Sequence, residues 1–117
     1  MSPDAIKDHN HAARAAGYAI RWRSGSCKGG AYTACDIRGQ DGEWHPWRPL
    51  ADDADAFRLQ NALELNTFHD GGAAFAMPPE SDEEFRVDYG PIGGKDKAMR
   101  FAIFKAAVSM GRDMLDE

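Results

Sequence analysis

The apolar residues of this 117-residue chain change their spacing several times, and each change marks an element. Ile6, His9, Ala13 and Ala16 recur every three or four residues, which predicts an amphipathic helix ending near Ala16. Ser2 supplies a hydroxyl cap for it, Pro3 suits the first helical position, Asp4 sits at the positive end of the dipole, and Gly17 closes it. The stripe is thin, so this helix is expected to be the least firmly held element. Tyr18 to Arg23 then alternates, with Tyr18, Ile20 and Trp22 on one face of a strand and Arg21 and Arg23 on the other. After the turn SGSCKGG, Ala31 to Arg38 reads as the returning strand, ended by Gly39 to Gly42.

The stretch Trp44 to Leu65 brings aromatic and proline punctuation into a helix start. Pro49 sets the boundary, and Asp52 or Asp53 caps the helix, with Asp55 adding charge at the same end. Ala56, Leu59, Ala62 and Leu63 share one face, whereas Phe57 points away from it and needs a second contact. Asn66 and the HDGG of His69 to Gly72 end this element. Ala73 to Met77 and Phe85 to Tyr89 read as short strands joined by the polar PPESDEE, a second hairpin. GPIGG breaks the chain, and Asp96 caps a last helix that runs to about Met110, with Gly111 as its stop. Met99, Ile103, Ala106, Ala107 and Met110 line one side of that helix; Phe101, Phe104 and Val108 line the other. A helix apolar on two sides should be central. The order α-β-β-α-β-β-α predicts a single α+β domain over residues 1–117: an antiparallel four-stranded sheet of two hairpins packed with three helices.

Composition narrows the possible roles. Hydrophobic residues make up 43% of the chain, enough for one core without metal or disulfide staples. A net charge of −5 argues against a protein whose main business is neutralising phosphates, and Arg21, Arg23 and Lys28 are the nearest thing to a basic cluster. No apolar run approaches the roughly 18 residues of a membrane span, and no secretory pattern opens the chain, so a cytoplasmic location is expected. Cys27 and Cys35 flank the hairpin turn and could approach each other across it; in a reducing cytosol they read as two half-buried thiols. A tetrahedral zinc site would need a second pair. No cofactor is expected.

Candidate chemistry is sparse. His9, Asn10 and His11 spell HNH, but residues two apart on a helix face different directions, and three adjacent letters do not make the nuclease of that name. Asp4, Asp8 and His11 could hold a divalent ion only weakly. Trp44, His45 and Trp47 are the strongest candidates for a recognition surface, because indoles give rigid contact area at little entropic cost. Alternation puts Trp44 and His45 on opposite sides; Trp47 is the one expected to seal the core. The acidic run Glu80, Asp82, Glu83 and Glu84 reads as a solvated loop that could steer a basic partner. GPIGG before a helix start lacks the lysine and hydroxyl residue of a phosphate loop. No serine elbow or pair of carboxylates with separated pKa values is apparent, so an enzyme is not expected.

The string W-x-P-L-x-D-D-x-D-A-F-R-L, present as Trp47 to Leu59, resembles the central motif of small uncharacterised phage and prophage proteins grouped near the phage ABA sandwich domain. Ala13 to Tyr18 (A-x-A-A-G-Y) and Ala98 to Gly111 look like that group's first and last helices. The resemblance implies a sandwich of sheet and helices and a phage or prophage origin; it implies no activity. The resulting expectation is a non-enzymatic accessory protein, monomer or homodimer, that binds a host or phage protein through Trp44, His45, Trp47, Glu83 and Glu84. The rivals are a weak metal-dependent hydrolase built on Asp4, Asp8, His9 and His11, and a nucleic-acid binder using Arg21, Arg23 and Lys28.

Overall fold

The computed structural model describes residues 2–115, without the side chains of Cys27, Ala31 and Tyr32. Helix α1 (Pro3–Ala16) starts where Ser2 Oγ accepts the Ala5 amide at 3.2 Å, and ends at Gly17 with φ of 76°. Strands β1 (Ala19–Cys27) and β2 (Gly30–Arg38) pair antiparallel around a turn made only of Lys28 and Gly29. Most of the expected turn is therefore strand. Ser24 to Cys27 are small enough to continue the pairing, and Gly30, at φ of 108°, supplies the reversal. This register sets Cys27 opposite Gly30 and Cys35 opposite Trp22. Five residue pairs, about 16 Å, separate the two positions, beyond the reach of a disulfide. The Cys27 thiol itself lies outside the described residues.

A third strand, β3 (Trp44–Pro46), lies beside β2 and completes the first sheet in the order β1-β2-β3. Helix α2 (Asp53–Leu63) is capped by Asp52, whose Oδ1 accepts the Asp55 amide at 3.0 Å. It buries Ala56, Leu59 and Leu63 but leaves Ala62 exposed. Phe57, expected to need a second contact, stands 59% exposed. Strands β4 (Asn66–Asp70), β5 (Ala73–Met77) and β6 (Phe85–Asp88) form a second antiparallel sheet in that order. The short helix α3 (Tyr89–Ile92) occupies the start of the expected GPIGG breaker, and α4 runs from Lys95 to Leu115.

The α+β class and the antiparallel pairing stand, but the architecture is two three-stranded sheets and four helices among the described residues, not one four-stranded sheet and three helices. The two hairpins belong to separate sheets, each extended at one edge by a third strand: β3 beside β2 and β4 beside β5. Two edge strands were the missing pieces. β3 is three residues long, and β4 reads NTFHD, a mostly exposed strand without alternation.

Helix α4 is central, as its two apolar sides predict. Ala98, Ala102, Ile103, Ala106, Ala107 and Val108 are all buried, and the helix contacts α1, α2, α3 and the second sheet. Gly111 does not stop it. A Cβ built on Gly111 would lie 1.8 Å from the His11 carbonyl oxygen, so this glycine lets the backbones of α1 and α4 touch. The expectation of a loosely held first helix does not fit this contact: α1 carries little apolar bulk, and that lack of bulk brings it close to α4. On the other side of α4, Ala74 and Ala76 of β5 are fully buried in the core. No helix among the described residues is long and apolar enough to cross a membrane.

Candidate functional site

The first sheet turns two different faces outward and inward. Its register puts Ala19, Arg21 and Arg23 of β1, Ala34, Asp36 and Arg38 of β2, and Trp44 and Pro46 of β3 on one face. Ile20, Trp22, Cys35 and Ile37 occupy the other and join the core. The outer face thus gathers three arginines and an indole around one carboxylate.

Asp36 is the pivot. It is only 3% exposed, yet it lies on the outer face, because the two arginines of β1 cover it. Arg21 Nε donates to Oδ2 at 2.9 Å; Arg23 donates Nε to Oδ2 at 2.8 Å and Nη2 to Oδ1 at 2.9 Å. These bonds, Arg23's first, hold the Asp36 carboxyl below its ordinary pKa despite burial. Arg21 serves a second partner. Its guanidinium carbon lies 4.5 Å from the centroid of the Trp44 ring, and that of Arg38 lies 5.0 Å from the same ring. Contacts of this kind contribute about 0.5–1 kcal/mol each when exposed. Arg38 has no carboxylate within ion-pair distance among the described residues. The face carries more positive charge than it neutralises, in a protein whose net charge is −5.

The expected recognition residues do not come together. Trp44 is partly exposed on the charged face. His45 falls on the opposite side, as alternation requires, and its Nε2–H donates to Asp41 Oδ2 at 2.7 Å, which holds the Asp41 carboxyl below its ordinary pKa. Trp47 is 2% exposed and belongs to the core, where its ring meets His9 and Tyr18 edge-on. Glu83 and Glu84 are exposed on the connection between β5 and β6, part of the second sheet. Of the basic trio, Arg21 and Arg23 share Asp36, and Lys28 stands exposed in the β1–β2 turn.

The acids and histidines of α1 disperse as well. Asp8 takes Arg112 Nη2 at 3.3 Å, and His11 Nδ1 accepts Arg14 Nη1 at 2.9 Å. His9 turns inward between Trp22, Trp47 and Phe104. No three His, Cys, Asp or Glu side chains among the described residues are grouped to hold a metal. Sequence reasoning missed Asp36 and Arg38. Their alternation with Ala34 along β2 was a usable signal; their meeting with Trp44 required β3. No protein-family model matches the chain, and no curated protein or solved structure matches it.

Proposed function

We propose that this protein is a non-enzymatic binding module whose outer first-sheet face takes an acidic segment of a partner protein. The observation that carries this reading is Arg38: a guanidinium held over a partly exposed indole, beside two more arginines, with no carboxylate of its own. An incoming carboxylate would meet a donor that needs no existing bond broken, while the indole offers apolar area next to it. Cationic patches of this kind act mainly on association rate and partner choice. The likeness of Trp47 to Leu59 to phage and prophage proteins makes a host or phage protein the natural partner.

Fluorescence anisotropy with a labelled Glu- and Asp-rich peptide tests the proposal. Binding should weaken with salt, drop by about tenfold or more in Arg38→Glu, and drop in Trp44→Ala. Glu83→Lys on the other sheet should leave it unchanged. If an oligothymidine of similar length binds and the peptide does not, the face is a nucleic-acid surface and the reading is wrong; it is equally wrong if neither binds at low salt.

A further inference from the structure

A cavity of about 200 Å³ lies on the inner side of the first sheet, beyond the end of β3, and is lined by His9, Thr33, Cys35, Trp47 and Leu50 among others. A mainly apolar cavity of about 150 Å³ is already large enough to hold a benzene ring. Side chains of its lining, those of Thr33, Arg48 and His9 among them, have polar atoms without a hydrogen-bond partner among the described residues, and of these three only His9 is buried. His9 is 5% exposed, and its Nδ1 must be the protonated nitrogen, since it faces the Ala5 carbonyl oxygen at 2.7 Å and a carbonyl can only accept. Burial lowers the pKa of this imidazole, so it is neutral at ordinary pH and Nε2 is left with a lone pair. No hydrogen bond reaches Nε2 among the described residues. Yet no side-chain nitrogen or oxygen there is both sealed from solvent and unpartnered. Nε2 is therefore within reach of solvent, and His9 lines this cavity. The Cys35 thiol is engaged elsewhere, donating to the Trp47 carbonyl at 3.4 Å, and burial pushes its pKa up to about 11, so it is not a nucleophile here.

We infer that this cavity is a binding site for a single-ring ligand carrying one hydrogen-bond donor, a phenol or its equivalent, held by His9 Nε2 with Trp47 against the ring. A hydroxyl of such a ligand donates to Nε2, and the ring replaces cavity space with apolar contact. The donor could belong to a free small molecule or to a tyrosine side chain.

Nuclear magnetic resonance of the full chain, with the histidine nitrogens labelled, is the test. Phenol should bind saturably and move the His9 Nε2 resonance; toluene should fill the cavity without moving it in the same way. In His9→Phe the ratio of phenol to toluene affinity should fall by about three- to tenfold, the worth of one hydrogen bond. Should that variant fail to fold, Thr33→Leu, which adds bulk at the cavity wall, should abolish binding of both. N-acetyltyrosine amide binding as well as p-cresol would assign the site to a partner's tyrosine, and its exclusion would assign it to a free ligand. No saturable phenol binding overturns the inference, as does phenol binding that neither substitution changes. Arg38→Glu lies on the other face and should leave phenol binding intact, which separates this site from the acidic-segment surface.

Discussion

The helices meet tight packing on one side and space on the other. At the α1–α4 crossing and along β5, contact is made by Gly111 and by Ala74 and Ala76, residues small enough for backbones to approach closely. On the side of the first sheet, contact is made through His9, Trp22 and Trp47, rings that meet edge-on with centroids 5.9 Å apart. Large flat groups hold the sheet off and leave a cavity beside them. Small residues give a close joint, and large ones give a standoff in which a ligand can sit.

The sharpest way to break the contrast is at the crossing. Gly111→Val should destabilise the protein by about 3 kcal/mol or more, because the added carbon has only His11 backbone to meet. Urea unfolding measures this, and a loss under about 1 kcal/mol would mean that the helices can slide apart. Next in size, Ala76→Leu should cost about 2 kcal/mol, while Thr33→Leu, extending toward the cavity, should stay within about 0.5 kcal/mol. Equal losses would show that the two sides are packed alike.

Asp36→Asn should cost about 1–2 kcal/mol at neutral pH, a figure kept modest because both arginines are about half exposed. The Asp36 pKa is lower in the folded protein than in the unfolded chain, so its contribution is complete above the unfolded value of about 3.9 and is lost as pH falls through the folded value. The difference between variant and parent should therefore vanish in acid; a constant difference would deny that charge is the cause. The smallest effect concerns His9. Its folded pKa is lowered, so the unfolded chain takes up the proton first, and stability should begin to fall as pH drops below about 6.5. His9→Phe should flatten that part of the pH profile, and an unchanged slope would place the titrating group elsewhere.

The contrast between the two sides also explains what could be read from sequence. Ser2 with Pro3, Asp52 ahead of α2, the alternation of Ile20 and Trp22, and the two apolar sides of α4 are local signals, and each points to the element that forms. Gly111 was misread because a glycine near a helix end has two physical uses, termination and close approach, and only the neighbouring helix distinguishes them. β4 was misread because an exposed edge strand needs no apolar alternation; its partner β5 defines it. The candidate surface was half legible. Trp44 stands out as an indole, but its arginines come from two other strands, and only the register brings them to it.

The position of α4 has a consequence for how the chain is made. Arg112 bonds Asp8 across 104 residues, and the core that α1, α2 and the second sheet share closes only around the last long helix. Synthesis runs from the other end. Until residues beyond Lys95 emerge, the inner face of the second sheet, with Ala74 and Ala76 of β5, lacks the helix that covers it, so the nascent chain should hold secondary structure without a sealed interior. The slow step is then the arrival of one helix at a glycine-wide gap, and a delay there leaves exposed the strands most able to pair with another chain.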